Sequence, residues 1–333
     1  MILAQQNILV YVYENDAKKC IIIANTMFKR IKKEAFFIIK LFSQEQRYEL
    51  SSYFHYFKYR FFSRFILAKL PKYQCQVRPD FALHMICQEE DVVMAEWAIR
   101  SFLKYSELCP KIIIHDDGTI TKDSARMLES KFSNLKVLFK SEALKMLEDH
   151  KDFQGKIREF RVNGHNVLIQ LIDILLLSDT AKVMIMDSDI LFFHKPQEII
   201  NFVNGQVDCD ALISRQPGSY DLMINNDYAD KYHIYERQAG FMNSGMAVFK
   251  KASISRDKFY EFFDNTKKSH GDYFLGMSGW GCLISQLNYK FLPEDKYILK
   301  GRPTKDTIMK HFTGPRRYEL FAYGIDKFRN NSS

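Results

Sequence analysis

Residues 183–193 read VMIMDSDILFF, an apolar run interrupted by two aspartates. The four apolar residues 183–186 suit a strand of a parallel sheet, because such a strand is buried on both faces. The carboxyl end of such a strand opens into the crevice where α/β proteins bind ligands. Asp187 and Asp189 follow at that point, and alternation along an extended chain puts their side chains on one side. The stretch therefore predicts an acidic site at the end of a central strand.

Two carboxylates so close together repel each other unless a cation lies between them. Mg²⁺ and Mn²⁺ prefer oxygen ligands of this kind and keep positions for phosphate oxygens. A strand-end turn or a helix N-cap is the alternative, because Asp-Ser-Asp is common in both. A second apolar run, residues 190–193, follows the aspartates, and a surface turn rarely has hydrophobic residues on both sides. The context therefore favours a metal site at Asp187 and Asp189.

Strand-like and helix-like segments alternate ahead of this stretch. Apolar strands are predicted at residues 81–87, 111–115, 135–139 and 183–186, and helices at 89–102, 121–131 and 165–177. The order predicts an α/β fold in which helices flank a largely parallel sheet on both faces.

The amino-terminal quarter of the chain carries the whole excess of positive charge. Residues 1–75 contain 13 Lys or Arg and 5 Asp or Glu, whereas the rest of the chain holds 35 of each sign. Residues 27–72 add many aromatics in a spacing that fits amphipathic helices. We therefore predict a basic, aromatic-rich, mostly helical region at 1–78, followed by the α/β domain at 79–333.

A basic region that contains many aromatics usually contacts anionic lipid or nucleic acid. For residues 27–72 we expect contact with an anionic membrane surface; a solvated surface and homo-oligomer formation are the alternatives. We expect no nucleic-acid partner, because the rest of the chain is neutral and carries no RNA or DNA motif.

The cysteines predict a reducing compartment. They show neither a CxxC pair nor zinc-ligand spacing and stand at Cys20, Cys75, Cys87, Cys109, Cys209 and Cys282. We expect reduced, mostly buried thiols. No apolar run approaches the roughly 20 residues of a spanning helix, and residues 1–26 lack the features of a signal peptide. The expected location is cytoplasmic, with a peripheral position at the inner membrane surface as a further possibility.

Four segments resemble, in the same order, motifs of glycosyltransferases with the GT-A fold, most of all glycosyltransferase family 8 and its bacterial relatives. They are HDDG at residues 115–118, AKVMIMDSDI at 181–190, FMNSGMAVF at 241–249 and KHFTGPRR at 310–317. The resemblance covers about residues 80–325. It implies a GT-A, Rossmann-like sheet in the α/β domain.

The resemblance also implies a bound Mn²⁺, or Mg²⁺, with three ligands: Asp187, Asp189 and His311. Arg317 stands where the family has a lysine that contacts the diphosphate, and an arginine can grip the same group with two hydrogen bonds. The family's Pro-Trp after that lysine is absent, since Tyr-Glu follows at 318–319. Residues 279–282, Gly-Trp-Gly-Cys, stand where relatives often have an Asp-Gln or Glu-Gln pair, so the usual candidate acid near the reacting sugar is missing. The catalytic residue is therefore unknown.

Polar and small residues near the predicted strand ends are candidates for donor binding. A carboxylate of Asp116 or Asp117 would accept a hydrogen bond from the base or ribose, with a plain Asp-Asp-Gly turn as the alternative. Arg161 would balance the diphosphate, with a solvated loop as the alternative. The full set of donor-side candidates is Cys87, Gln88, Asp116, Asp117, Arg161, Asp187, Ser188, Gly314 and Arg317.

The acceptor side has fewer candidates. Asn243, Ser244 and Gly245 stand between apolar residues, and polar atoms buried there need partners, for which a sugar hydroxyl is suitable. Trp280, between two glycines, would stack on a sugar ring or else pack in the core.

These features predict a metal-dependent glycosyltransferase of the hexosyltransferase type. Its donor would be a nucleotide-diphosphate sugar, preferably a UDP-sugar, and its acceptor a hydroxyl of a carbohydrate or glycan; the resemblance implies retention at the anomeric carbon. A sugar nucleotidyltransferase is one alternative, but its Gly-rich basic loop is replaced here by the acidic residues 88–91, QEED. A non-enzymatic module that binds membrane or nucleic acid through the basic region is the other.

Overall fold

The computed structural model describes residues 31–43, 49–267 and 274–331. Expectations for residues 1–30, which include the signal-peptide question and Cys20, lie outside the described residues, as do those for 44–48.

The described chain is built from short strands and helices in alternation. The strands are β1 (Phe81–Cys87), β2 (Lys111–Asp116), β3 (Leu135–Leu138), β4 (Lys182–Met186), β5 (Ile190–Phe192), β6 (Ala211–Arg215), β7 (Met242–Lys250), β8 (Tyr289–Phe291), β9 (Tyr297–Ile298) and β10 (Met309–His311). The helices are α1 (31–42), α2 (Leu50–Ala68), α3 (Val92–Ser106), α4 (Lys122–Lys131), α5 (Lys140–Glu148), α6 (Gly155–Asn163), α7 (Val167–Leu177), α8 (Gln197–Val203), α9 (Asn226–Lys231), α10 (Arg256–Asp264), α11 (Phe274–Ser285), α12 (Arg317–Glu319) and α13 (Ile325–Asn330). A π-helical turn, Leu320–Gly324, joins α12 to α13.

The central sheet has the strand order β3-β2-β1-β4-β7-β6-β8. Neighbouring strands run parallel except at β7, which is antiparallel to both β4 and β6. The chain passes from β1 outward to β2 and β3 and then returns to β4 on the other side of β1. Ligands of α/β proteins bind at such a reversal, beyond the carboxyl ends of the strands. The predicted α/β fold with a mostly parallel sheet is confirmed, and its reversal lies between β1 and β4.

The burial of β4 on both faces of the sheet explains why its sequence is apolar without interruption. Val183 and Ile185 point into one hydrophobic core, together with residues of α7, α10 and α11. Met184 and Met186 point into the other, with residues of α3 and α4. A strand that is covered on both faces has no position for a polar side chain until it leaves the sheet. The first such position is Asp187.

A small second sheet brings the carboxyl-terminal part of the chain to this point. It has the order β5-β10-β9, with β10 antiparallel to β5 and parallel to β9. In its register His311 pairs with Ile190, and the amide of Phe312 donates to the Asp189 carbonyl at 2.8 Å. The pairing therefore carries His311 across some 120 residues of sequence to the predicted aspartates.

Helices α1 and α2 fall within the region predicted to be helical. They share a third hydrophobic core with α3 and the carboxyl-terminal helices. The Tyr59 hydroxyl donates to Asp326 Oδ1 at 3.2 Å, and the Trp97 indole donates to Ser63 Oγ at 3.1 Å. The division of the chain at residue 78 stays a prediction. Among the described helices, none has both the length and the apolar character needed to cross a bilayer.

The cysteine expectation is wrong for one pair. Cys75, in the segment after α2, forms a disulfide with Cys109, which precedes β2. Cys87, Cys209 and Cys282 are free and buried, as expected. The sequence spacing of 34 residues gave no hint of the pairing, because it depends on how the segment after α2 lies against the sheet edge. Since disulfides persist mainly in oxidising compartments, the cytoplasmic location stays a prediction that this bond calls into question.

We expect reductant to lower the melting temperature of the native protein. Closing a loop of this length stabilises a fold by about 3–4 kcal/mol in the chain-entropy model. The measurement is thermal unfolding with and without reductant, together with mass spectrometry of the cross-linked peptide. The double variant Cys75→Ser/Cys109→Ser is the control and should not respond to reductant. If reductant leaves the melting temperature of the native protein unchanged as well, the Cys75–Cys109 disulfide is not present.

Candidate active site

Asp187, Asp189 and His311 form a compact cluster beyond the carboxyl end of β4. His311 Nε2 lies 3.0 Å from Asp189 Oδ1 and 3.4 Å from Asp187 Oδ2. One ligand atom of each residue lies within 4.8 Å of the others, and among the described residues no other group of three such side chains is this close. The cluster therefore unites the three residues that the sequence assigned to a metal.

The donor set of this cluster fits a hard divalent cation. His311 Nδ1 is buried and has no hydrogen-bond partner, and Asp189 Oδ1 meets only the His311 ring among the described side chains. Adjacent ligands of an octahedral ion lie about 3 Å apart when each is about 2.1 Å from the metal. The His311–Asp189 and His311–Asp187 distances are close to this spacing. Two carboxylates with one imidazole suit Mn²⁺ or Mg²⁺.

Gly245 leaves the space that the His311 ring and the Asp187 carboxylate occupy. It follows Asn243-Ser244 in β7, and its carbonyl accepts a hydrogen bond from the Asp187 amide at 2.8 Å. A Cβ on this residue would clash with the His311 ring and lie 2.7 Å from Asp187 Oδ2. The Asn243 side chain holds the strand here, since its Oδ1 accepts from the Gly245 amide at 3.0 Å. The glycine of the Asn-Ser-Gly motif is thus a spatial requirement of the cluster.

Arg317 is the permanent cation of the site. Its Nε donates to Asp189 Oδ2 at 2.7 Å, and its Nη1 donates to Asp91 Oδ2 at 2.9 Å. Burial raises the pKa of the Asp187 carboxyl above its usual range, against the opposing effect of His311. Burial acts on Asp189 in the same direction, but Arg317 and His311 outweigh it and hold the pKa of that carboxyl below its usual range. Asp189 therefore stays ionised.

A cavity of about 440 Å³ opens beside this cluster. Its size is typical of a site for a small ligand or cofactor. The sequence candidates that line it are Cys87, Gln88, Asp117, Asp187, Ser188, Asp189, Asn243, Ser244, Gly245, His311, Gly314 and Arg317. The structure thus brings most of the candidates together, while the role of each stays a prediction. Burial raises the pKa of the Cys87 thiol, so it meets a ligand as a neutral group.

Three candidates do not line the cavity. Asp116 closes a turn, because its Oδ1 accepts from the amides of Gly118 at 2.8 Å and Ile120 at 2.9 Å. This is the turn alternative, so the donor-binding interpretation of Asp116 is wrong.

Arg161 and Trp280 are structural as well. The Arg161 guanidinium binds both oxygens of Asp173 at 2.5 and 2.9 Å, and the pair is buried in the core. Trp280 is 1% exposed and packs against Phe249, with ring centroids 5.3 Å apart. A diphosphate cannot reach the first residue, nor a sugar ring the second, so both predictions are wrong.

Several cavity residues have no place in the sequence prediction, and Gln170 is the most informative. Its side chain is 6% exposed and lines the cavity. Burial raises the pKa of the Asp187 carboxyl, and hydrogen bonding from Gln170 acts on that pKa in the opposite direction. The signal was available, because Gln170 and Asp173 are the two polar residues of the otherwise apolar helix α7. The other polar and aromatic additions are Asp91, His165, Asn166, Gln216, Tyr220, Phe274, Lys300, Thr313 and Arg316.

Comparisons with known proteins bear on the fold of this chain. No family model matches the chain, and no curated protein matches it. The apo structure of the bifunctional glycosyltransferase WbbM has a TM-score of 0.50 at 13% identity, covering 78% of this chain and 50% of that chain. This chain therefore spans half the length of WbbM.

Two further solved structures are less similar. Galactosyltransferase LgtC, in complex with donor and acceptor sugar analogs, has a TM-score of 0.46 at 12% identity, covering 75% of this chain and 95% of that chain. Core-mannan synthase A from Aspergillus fumigatus, in its Mn/GDP form, has a TM-score of 0.41 at 9% identity, covering 76% and 86%. At such identities a likeness concerns the fold alone, and the fold of this chain is GT-A.

We expect Gly245→Ala to weaken Mn²⁺ binding by on the order of tenfold or more, since the added methyl group displaces both His311 and Asp187. The measurement is a calorimetric Mn²⁺ titration on protein whose circular dichroism is unchanged. Met246→Leu, the next residue of β7, points into the core and should bind Mn²⁺ like the native protein. Native affinity in a folded Gly245→Ala variant would show that the cluster does not hold the ion.

Proposed function

We propose that this protein is a metal-dependent glycosyltransferase that moves a sugar from a nucleotide-diphosphate donor to a glycan hydroxyl. The observation that carries the proposal is the Asp187–Asp189–His311 cluster, in which Asp189 and His311 are buried and Asp187 is partly exposed, and which adjoins a 440 Å³ cavity at the reversal point of a GT-A sheet. We further propose a UDP-sugar as donor and retention at the anomeric carbon, as the resemblance to family 8 implies.

The proposed reaction breaks the bond between the anomeric carbon and the diphosphate, so negative charge builds up on the leaving group. A divalent ion bound by Asp187, Asp189 and His311 supplies a Lewis acid for that charge. Arg317 keeps Asp189 ionised and adds a fixed positive charge beside it. Lys300 and Arg316 also line the cavity and can bind phosphate oxygens. These charges support the proposal that the donor half of the site binds a diphosphate.

No carboxylate nucleophile stands out among the described residues that line the cavity. Among the described residues that line the cavity, the carboxylates are Asp91, Asp117, Asp187 and Asp189. Asp91 and Asp189 bind Arg317, and Asp187 belongs to the metal cluster. Asp117 accepts from the Thr119 amide at 3.0 Å within its turn. We therefore assign no covalent intermediate, and we propose that the acceptor hydroxyl attacks within the donor complex.

A sugar nucleotidyltransferase remains the competing enzyme, and the loop after β1 argues against it. Glu89 binds the Thr121 amide at 3.0 Å and the Ser124 hydroxyl at 2.7 Å. Asp91 binds Arg317. This loop holds the fold together with carboxylates and provides no cation for a triphosphate.

The function is tested with a panel of nucleotide sugars and Mn²⁺, read out as released nucleoside diphosphate. We expect release from one donor class and a loss on the order of 100-fold or more in Asp189→Asn, because the metal site loses a charged ligand. Asp123→Asn, whose side chain is 85% exposed, is the matched control and should be unaffected. Pyrophosphate release from a nucleoside triphosphate plus sugar 1-phosphate would support the nucleotidyltransferase, and full activity of Asp189→Asn would refute the metal site.

Gln170→Leu separates binding from stability. We expect donor KM to rise by roughly tenfold, since a hydrogen bond to a charged oxygen is lost. The melting temperature should change little, because the amide lies at the cavity wall and interacts with Asp187 of the site. Gln286→Leu, which is outside the cavity, is the control for KM. An unchanged KM in Gln170→Leu, or a fall in melting temperature alone, would make the residue structural.

A further inference from the structure

Helix α2 has apolar stripes on two opposite sides. The side that packs on the body of the protein buries Ser52, Tyr56, Tyr59, Ser63 and Leu67. The opposite side repeats the same spacing of three or four residues with five exposed side chains, Leu50, Phe54, Phe57, Phe61 and Phe65. A surface helix usually buries its more apolar stripe and exposes polar residues. Here the more apolar stripe points away from the body.

The exposed apolar surface is concentrated at α1 and α2. Of the fifteen large hydrophobic side chains that are exposed among the described residues, ten lie between residues 31 and 65. Helix α1 contributes Ile31, Phe36, Ile39 and Phe42, and α2 adds Phe62 to its outward stripe. A concentration of large exposed apolar side chains of this kind marks a contact surface.

The charged residues of α2 indicate the kind of surface that its outward stripe contacts. Residues 50–69 contain no Asp or Glu, while Lys58, Arg64 and Lys69 lie at the flanks of the outward stripe. Lys58 Nζ lies 6.0 Å from the Phe54 ring centroid, and the Arg64 side chain is 67% exposed. An apolar stripe on a helix without acidic residues, flanked by Lys58, Arg64 and Lys69, matches the boundary between acyl chains and anionic headgroups.

The outward face is held rigidly against the body. Tyr59 and Ser63 on the inward side make the hydrogen bonds to Asp326 and Trp97. Arg64 lies 3.8 Å from Glu89, whose turn ends at Asp91, the residue that binds Arg317. The face is thus fixed relative to the candidate active site.

We propose that the outward face of α2, extended by α1, docks on the surface of a bilayer that contains anionic lipid. The phenylalanines enter the headgroup boundary, and Lys58, Arg64 and Lys69 contact lipid phosphates. This docking does not depend on the proposed glycosyl transfer. It presents the candidate active site at a fixed height above the membrane.

The test is flotation of the full chain with vesicles of phosphatidylcholine, with and without phosphatidylglycerol. We expect binding to the anionic vesicles only, weaker in high salt. The variant Phe54→Ser/Phe61→Ser/Phe65→Ser should bind about tenfold or more weakly, because three apolar side chains no longer enter the bilayer. Lys58→Glu/Lys69→Glu should lose the preference for anionic vesicles. The control, Met146→Ser/Val162→Ser/Tyr235→Ser, removes three exposed apolar side chains elsewhere and should bind normally.

Three outcomes would overturn the docking proposal. One is equal flotation of the native protein and the triple phenylalanine variant, provided that circular dichroism shows both to be folded. Another is a native protein that does not bind vesicles and is a dimer in light scattering, while the triple variant is a monomer. The face would then be an interface between two copies. The third is flotation that begins only after residues 1–30 are deleted, which makes that segment the occupant of the face.

Discussion

The repulsion between Asp187 and Asp189 is the constraint on which the rest of the site depends. Two carboxylates at the end of a buried strand need positive charge nearby, since burial penalises their ionised forms. Arg317 supplies one fixed charge to Asp189, and His311 approaches both carboxylates. Their pKa values consequently move in opposite directions, upward for Asp187 and downward for Asp189. This asymmetry prepares one ionised ligand before any cation binds.

The groups that surround the two aspartates come from distant parts of the chain. His311 reaches the aspartates because β10 pairs with β5, and Gly245 leaves the space that the imidazole occupies. Arg317 then begins the carboxyl-terminal helices, whose other side packs against α2 in the third hydrophobic core. The basic helices therefore rest on the same segment that completes the candidate active site. A membrane contact at α2 and a diphosphate contact at Arg317 would share one rigid support.

Helix α7 shows how one element serves both the core and the cavity. Its two polar side chains, Gln170 and Asp173, are three residues apart and both are buried. Asp173 is neutralised by Arg161 in the core. Gln170, one turn earlier, lines the cavity and acts on the Asp187 carboxyl of the metal cluster.

The sequence by itself determined the strands β1 to β4, the helices α3, α4 and α7 and the acidic strand end, because burial period and turn chemistry are local properties. It also indicated the cluster of Asp187, Asp189 and His311, through motifs in a recognisable order. Only the tertiary structure decided that Arg161 pairs with Asp173, that Trp280 packs in the core and that Cys75 meets Cys109. Each of these depends on which side of an element packs against a distant one. A polar or aromatic residue with a given local sequence pattern lies either in a ligand site or in the core. Tertiary packing determines which of the two it is.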